Sequence, residues 1–367
     1  MIDEDFGRSG NLPIGSTAPG GRQMHGTAVS ATEAGNSQDS GRRIYVDALQ
    51  CSNWDRALLE QWQAGGLGCV HVTTSIWDGA RETLRTIARW KRRFRDDSDI
   101  IAQARTVDDI HTIAASGRTA VILGFQNTSP FEDDLGMVEI FHDLGVRVAQ
   151  LTYNIANYVG SSCYEPVDGG LTRFGKNVIR EMNRIGMIVD LSHTGPITSM
   201  QAITASERPV MASHANAAAV WRHPRNLSDE LLRALADRGG IIGCAPYPHL
   251  TGGDEVTGRQ WAEGVAHCVE VMGIDHVAIG TDSSHHFSDD DLRFIREGYW
   301  THEPNFGAGS PDKPGWLPWP AFFRTPADFA NFDTVLSEVG FDDAERAKIM
   351  GGNLMRFYGE GFNPQLP

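Results

Sequence analysis

The 367-residue chain has few of the features that mark several protein classes. Its cysteines are scattered and include no CxxC pair, which argues against a zinc ribbon and against a disulfide framework. Reduced thiols and a cytoplasmic location are therefore expected. No apolar run approaches the length of about 20 residues that a membrane helix needs. The first residues also lack the basic and then apolar pattern of a signal peptide.

Basic residues are in deficit, because 32 Lys and Arg stand against 47 Asp and Glu, for a formal net charge of −15. Nucleic-acid-binding proteins need a basic face, and anionic membrane surfaces attract basic segments. The composition therefore argues against both partners and favours a small-molecule substrate. Hydrophobic residues make up 41% and charged residues 22%, the ordinary balance of a globular protein with a sizeable core.

The order of apolar and polar segments predicts the fold. Residues 1–42 are rich in Gly, Ser and Thr and are predicted to be a flexible or surface-laid extension. Apolar runs then alternate with helix-like segments, and the runs read RIYVDAL, GCVHVTT, TAVILGF, RVAQLTY, GMIVDLS, RPVMASH, GGIIGCA and HVAIGTD. Such a βαβα order in one continuous block predicts an α/β fold, a TIM-like (β/α)8 barrel over residues 43–360.

Some connecting segments carry signals of their own. In SDELLRALADRGG, Ser228 is a candidate N-cap of a helix that ends at the two glycines. In FEDDLGMVEIFHDLG, the acidic residues are expected in the first helical turn, with Gly145 just past the end. The aromatic and proline-rich residues 283–325 are predicted to be a long loop that covers a site, and the C-terminal residues are predicted to be helices on the barrel.

In a barrel of this kind, residues at the C-terminal ends of the strands converge on one mouth. Read in order, the polar residues at these ends are Asp47, Gln126, Tyr153, Asp190, His193, His214 and Asp282. His193 and His214 follow neighbouring strands, and two imidazoles aimed at one point suit Zn²⁺. Two separate hydrogen-bonded histidines are the alternative. Asp282 is a candidate acid and base beside an activated water, or else an ordinary loop cap.

Further candidates lie in the segments after these strands. Arg222 and Arg225 follow the strand that carries His214, and an arginine there can hold a substrate carboxylate bidentately. A salt bridge to a surface acid is equally compatible with the spacing. His285 and His286 come soon after Asp282, either as metal ligands or as exposed loop residues.

The segments DLSHT, SHAN, RNLSDELLRAL, GTD and NLMRFY resemble, in this order and with similar separations, the renal (membrane) dipeptidase family of metallopeptidases, M19. The resemblance covers about residues 43–360. It implies an amidohydrolase-like barrel with a binuclear zinc site that cleaves dipeptides and sometimes β-lactams, often as a homodimer. It also implies that His193 and His214 bind the second metal, that Asp282 is the catalytic aspartate, and that Arg225 binds the substrate carboxylate, with the adjacent Asn226 as a further substrate-binding residue.

The chain departs from the family pattern on the other side of the site. Leu49 and Cys51 stand where the resemblance implies a His-x-Asp pair, Gln126 where it implies a bridging glutamate, and Tyr153 where it implies a histidine. Leucine cannot bind a metal, and a neutral amide cannot hold two dications together. We therefore expect a single zinc ion, held by the two histidines and weakly by Gln126. Tyr153 is expected to contact the substrate and to stabilise the oxyanion in place of the missing histidine.

Three functions are compatible with these residues. The favoured one is a mononuclear hydrolase of a dipeptide or similar small carboxylate-bearing amide, because His193, His214, Arg225 and Asp282 are all present. A lyase, decarboxylase or cyclic-amide hydrolase that acts on a small metabolite is the second. A non-catalytic binding protein on a retired dipeptidase scaffold is the third.

Overall fold

The computed structural model describes residues 43–299, 301 and 318–363. The predicted extension 1–42 and part of the predicted covering loop, residues 300 and 302–317, lie outside these residues. Within the described residues, no helix combines the length and the apolar character that crossing a membrane requires. All five cysteines are free.

The strands form one parallel sheet in the order β1-β2-β4-β5-β6-β7-β8-β9, and β3 pairs with the start of β4. Their bounds are β1 Tyr45–Gln50, β2 Leu67–Thr73, β3 Ile101–Gln103, β4 Thr119–Phe125, β5 Val146–Gln150, β6 Ile188–Asp190, β7 Met211–Ala215, β8 Ile241–Cys244 and β9 Val277–Ile279. The eight predicted strands and the TIM-like fold class are confirmed. Strand β3 was not predicted, because at three residues it is too short to leave a pattern in the sequence.

Asp47 joins the first barrel strand to the last. Its carboxylate accepts hydrogen bonds from the Thr281 backbone N at 2.8 Å and from the Thr281 hydroxyl at 2.6 Å. Leu49 O accepts from Asp282 N at 3.0 Å, and Cys51 N donates to Ser283 O at 3.0 Å. Asp47 is therefore used to close the barrel, and these backbone contacts hold Asp282 beside the end of β1.

Helices follow most of the strands, as the predicted fold requires. Their bounds are α1 Arg56–Ala64, α2 Ala80–Asp96, α3 Val107–Ala115, α4 Gly136–Asp143, α5 Arg173–Ile185, α6 Pro196–Ala205, α7 Asp229–Asp237, α8 Pro248–Thr251, α9 Gly258–Met272, α10 Asp289–Glu297, α11 Asn331–Ser337, α12 Asp343–Ala347 and α13 Asn353–Gly361. Short 3₁₀ turns span Ser129–Phe131, Ile274–His276 and Pro326–Asp328, and a π turn spans Lys348–Gly352.

Two of the predicted helix boundaries can be compared with the structure. Ser228 caps α7, because its side chain accepts a hydrogen bond from Leu231 N, so that prediction is confirmed. Glu132, Asp133 and Asp134 do not lie in the first turn of α4, since the helix begins only at Gly136 and the acidic residue of its first turn is Glu139, whereas Gly145 does lie just past its end. Pro130 lies in a preceding 3₁₀ turn, and the carboxylate of Asp134 accepts from Gly136 N just before the helix begins.

The barrel is apolar at its base and polar at its mouth. Leu354, Phe357 and Tyr358 of α13 pack against inward-facing residues of the strands and fill the base. The mouth is partly covered by α10, which lies within the segment 283–325. The prediction of a long loop there is therefore wrong for residues 289–297, whose Ser288 cap and Asp291 form a capping box.

Candidate active site

His193 and His214 meet at the barrel mouth. His214 is part of β7 and fully buried, and His193 follows β6 with a positive φ of 61°. Their Nε2 atoms lie 3.2 Å apart. The predicted convergence of two imidazoles is therefore what the structure shows, and the unusual backbone at His193 directs its ring toward the other one.

Partners at Nδ1 set the tautomer of each ring. His193 Nδ1 donates to Asn154 Oδ1 at 2.7 Å. Ser213 Oγ donates to Asp190 Oδ2, so it accepts from His214 Nδ1 at 2.7 Å. Each ring therefore carries its hydrogen on Nδ1 and presents a lone pair at Nε2.

Two lone pairs that face each other at this distance repel unless a cation lies between them. Protonation of either ring is disfavoured, because burial lowers the pKa of both His193 and His214, and the charge of Arg225 lowers them further. The arrangement thus fits a metal ion of the zinc type bound by neutral imidazoles whose other nitrogens are fixed by hydrogen bonds.

The other side of the mouth offers weaker ligands. Gln126 lines the pocket, and its Nε2 donates to Thr73 Oγ1 at 2.8 Å. Leu49 is buried, and burial followed by the charge of Asp282 raises the pKa of the Cys51 thiol, so it stays protonated. In the described part of the chain, no three side chains of His, Cys, Asp or Glu are grouped to hold a metal ion. The structure does not supply a first metal site of the binuclear kind.

Asp282 follows β9 at the pocket wall with a positive φ of 54°. Burial raises its pKa to about 7, and the guanidinium of Arg225 opposes that rise. A carboxyl with a pKa near neutrality both accepts and returns a proton efficiently.

Arg225 is a buried cation, with 4% of its surface exposed. Its Nη2 donates to His214 O at 3.2 Å, and its Nε is buried without a hydrogen-bond acceptor. No carboxylate within residues 43–299, 301 and 318–363 forms an ion pair with it. Arg222 is exposed and does not line the pocket, so Arg225 is the arginine available to an anionic ligand.

Tyr153 lies against the histidine pair. Its ring stacks on His193 with 4.1 Å between ring centroids, and Trp77 contacts it edge-on at 5.3 Å. Burial raises the pKa of the Tyr153 hydroxyl well above its usual value, so the hydroxyl remains a hydrogen-bond donor.

Asn226, predicted to bind substrate, is not part of the pocket lining. Its Nδ2 donates to Trp221 O and Leu250 O, and its Oδ1 accepts from Asn216 N. These bonds hold the loop that carries Arg225, which gives Asn226 a structural task.

The two loop histidines also lie apart from the pair. His286 Nδ1 is 3.2 Å from Asp55 Oδ2 near the surface, and the His285 ring lies 6.0 Å from Trp319. Neither lines the pocket.

The pocket above the histidine pair is narrow, with a cavity volume of about 40 Å³. Several residues of its wall and of the layer behind it were not predicted from the sequence, namely Asn154, Tyr164, Ser213, His223, Tyr247 and Arg296. Asn154 had a signal, because it directly follows Tyr153 at a strand end. Arg296 had none, because its place depends on how α10 folds back over the mouth.

The family assignment rests on a match over most of this barrel. The model of the membrane dipeptidase family, peptidase family M19, matches residues 42–290. The chain belongs to this family. The predicted resemblance is confirmed, and so is the fold that it implied.

Individual relatives agree with the family. A dipeptidase of Clonostachys rogersoniana is 31% identical over 257 residues, which cover 65% of this chain and 66% of that protein. A dipeptidase of Aspergillus oryzae is 34% identical over 55% of this chain and 50% of its own length. The chain thus spans between half and two thirds of these curated relatives.

Solved structures extend the similarity to nearly the whole barrel. An amidohydrolase from Pseudomonas aeruginosa is 35% identical, with a TM-score of 0.83 over 87% of this chain and 97% of its own. A metallopeptidase from Rhodobacter sphaeroides, solved with a phosphinate mimic of the dipeptide L-Ala-D-Ala, is 16% identical, with a TM-score of 0.72 over 87% of this chain and 99% of its own. The second likeness concerns the fold alone.

Proposed function

We propose that this member of the membrane dipeptidase family is a metal-dependent hydrolase with a single metal ion, which cleaves a dipeptide or a similar small carboxylate-bearing amide. The observation that carries the proposal is the pair of Nε2 atoms of His193 and His214, 3.2 Å apart with both hydrogens held at Nδ1. The dipeptidases of Clonostachys rogersoniana and Aspergillus oryzae support the reaction class.

One ion fits the residues better than two. His193 and His214 would hold it, with Gln126 as a neutral oxygen donor nearby. A second dication would need a carboxylate to offset the repulsion of the first, and Leu49, Cys51 and Gln126 provide none. Bound zinc would polarise the scissile carbonyl and lower the pKa of a water molecule.

The chain's own groups carry the remaining steps. Arg225 binds the substrate carboxylate through its unpaired Nε, which places the amide over the histidine pair. Asp282 takes a proton from the attacking water and returns it to the leaving amine, for which its pKa of about 7 is suited. The Tyr153 hydroxyl donates to the oxyanion that develops on the carbonyl.

The test combines metal content with turnover. Zinc-loaded protein is expected to contain one zinc per chain by elemental analysis and to hydrolyse members of a dipeptide panel. His193→Ala is expected to lose the zinc and at least ~10³-fold in kcat/KM, because the ion supplies the main polarising charge. His267→Ala is the matched control, since His267 pairs with Asp229 away from the mouth.

Each alternative has its own outcome. Full activity in His193→Ala would end the metallohydrolase proposal. Stoichiometric zinc with no dipeptide cleavage, but with turnover of a cyclic amide or an N-methylated amino acid, would favour the second reaction class. A chain that folds without metal and turns over nothing would be a binding protein.

A further inference from the structure

Helix α10 forms the roof of the pocket. Leu292, Ile295 and Arg296 line the cavity from one face of this helix, as their spacing of three and four residues requires. Two anchors fix the helix to the barrel: Trp77 Nε1 donates to Ile295 O at 3.0 Å, and Asn53 Nδ2 donates to Asp291 Oδ2 at 3.0 Å. Because these two hydrogen bonds fix the helix to the barrel, Arg296 is held over the pocket.

The guanidinium of Arg296 has a donor atom that lacks a hydrogen-bond acceptor. Its Nη2 is buried and has no hydrogen-bond partner. None of the described carboxylates forms an ion pair with it, although its neighbour Glu297 acts on it electrostatically. Arg293, one turn earlier, is instead exposed and lies 3.2 Å from Asp290. Arg296 as a whole is half-buried, but leaving its buried Nη2 without an acceptor is costly unless a ligand supplies one.

The pocket is locally cationic in a strongly acidic protein. Arg225 and Arg296 face one carboxyl, Asp282, among the described residues of its lining, although the whole chain has a formal net charge of −15. Both arginines act on the same phenol: burial raises the pKa of Tyr247, and the two guanidiniums oppose that rise. The two cations therefore flank one cavity, and a ligand that spans it meets both.

We propose that the substrate carries a second carboxylate, on a side chain, and that Arg296 binds it while Arg225 binds the terminal carboxylate. This assignment rests on the proposed hydrolase function and names its substrate class, an acidic dipeptide. Arg296 is then a specificity residue, which selects the substrate without taking part in proton transfer.

Binding of non-hydrolysable phosphinate dipeptide mimics tests the assignment. Four mimics are compared by calorimetry on the zinc-loaded enzyme: Ala-Glu and Glu-Ala, each against its Gln counterpart of equal shape. Wild-type protein is expected to bind one acidic mimic about 10- to 100-fold more tightly than its neutral counterpart, since a bidentate pair between a guanidinium and a carboxylate is a strong interaction. In Arg296→Gln the ratio is expected to fall below about threefold, with the neutral mimic bound as before.

Two further variants separate a local charge effect from a structural one. Arg296→Lys is expected to retain part of the preference, because it keeps the charge but loses the fork geometry. Arg293→Gln removes an exposed arginine of the same helix and is expected to keep the full preference. Equal affinity of wild-type protein for acidic and neutral mimics would overturn the assignment, as would an unchanged ratio in Arg296→Gln.

Turnover distinguishes this assignment from the proposed function. Cleavage of neutral and acidic dipeptides with equal kcat/KM would reject the role of Arg296 and leave the hydrolase intact. Selective binding of an acidic mimic without cleavage of any dipeptide would support the role of Arg296 and reject the hydrolase. Neither binding nor cleavage would reject both.

Discussion

The two halves of the barrel mouth differ in what they offer a cation. At the ends of β6 and β7, His193 and His214 present their Nε2 atoms to one point, and both Nδ1 atoms have partners. At the ends of β1 and β4, the corresponding positions hold Leu49, Cys51 and Gln126. In the first half, hydrogen bonds at Nδ1 fix the orientation of two candidate ligands. In the second half, the only ionisable side chain at these positions is the protonated thiol of Cys51.

The half at the ends of β1 and β4, called the depleted half below, is packed with apolar and neutral groups, whereas the half with the two histidines is called the intact half. Cys51 lies in an apolar cluster with Ile76 and Tyr153, and the Gln126 amide is engaged with Thr73. The space that a second ion would need is therefore lined by apolar and neutral groups, which do not compensate a charge in a buried site. In the proposed function, metal binding and proton transfer would therefore be divided between the halves, since Asp282 lies beside the end of β1.

Among the substitutions that test this division, replacing Asp282 is expected to have the largest effect on activity. In Asp282→Asn, kcat/KM is expected to fall ~10²- to 10⁴-fold, because the amide cannot accept the proton of the attacking water. Zinc content is expected to stay unchanged, since the ion belongs to the other half. The measurement is dipeptide hydrolysis beside elemental analysis, with exposed Asp289→Asn as the control. Loss of zinc in Asp282→Asn would show that the aspartate is a ligand and would erase the distinction between the halves.

The pH profile sharpens the same prediction. Asp282 acts as a base only when it is deprotonated, and burial raises its pKa to about 7 while Arg225 opposes the rise. The acid limb of kcat/KM is therefore expected at or below about pH 7, with activity rising as pH increases through it. Arg225→Met removes the opposing charge, so the limb is expected to move to higher pH. A limb that stays in place in this variant would assign it to another group.

The sequence predicts some features of the intact half and not others. His193 and His214 were predicted to converge because both stand at ends of neighbouring parallel strands, and this needs only strand order. The support behind them needs register as well: Asp190 lies opposite Met211, and only this pairing brings its carboxylate to Ser213. Strand-end position therefore predicts that the two histidines converge, but it does not predict the residues that orient their rings.

Long-range packing limited the rest of the prediction. Arg296 belongs to a helix that is fixed over the mouth by Trp77, more than two hundred residues away in sequence. Asn226 was predicted to bind substrate from its place next to Arg225, but its amide bonds the backbone of Asn216, Trp221 and Leu250. A polar residue beside a functional one serves the site either directly or through the loop, and the sequence does not distinguish these roles.

A smaller effect is expected from the layer behind the intact half. Ser213→Ala removes the acceptor for His214 Nδ1 and so frees the ring to change tautomer and orientation. Zinc affinity is expected to fall about 10- to 100-fold, measured by competition with a chelating dye. Ser206→Ala is the control, because this buried serine bonds Asn183 and the Arg208 backbone away from the mouth. Equal zinc affinity in the two variants would mean that the Asp190 to Ser213 connection does not orient the ligand.

The smallest expected effect comes from restoring one charge to the depleted half. Gln126→Glu places a carboxylate beside the histidine pair, and the Thr73 hydroxyl can rotate to donate to it in place of the amide contact. Zinc affinity is expected to rise about tenfold, because an anionic oxygen ligand attracts the ion more strongly than an amide. Gln63→Glu, which adds the same charge to the exposed face of α1, is the control and is expected to leave zinc affinity unchanged.

The count of ions in Gln126→Glu tests the comparison more severely than the affinity does. Leu49 and Cys51 remain, so the new carboxylate has no second set of ligands to bridge to, and one zinc per chain is expected even at excess metal. Two zinc ions per chain in this variant would show that the depleted half lacks only a single charge. A zinc affinity equal to that of the wild type would show instead that Gln126 lies too far from the histidine pair to contact the ion.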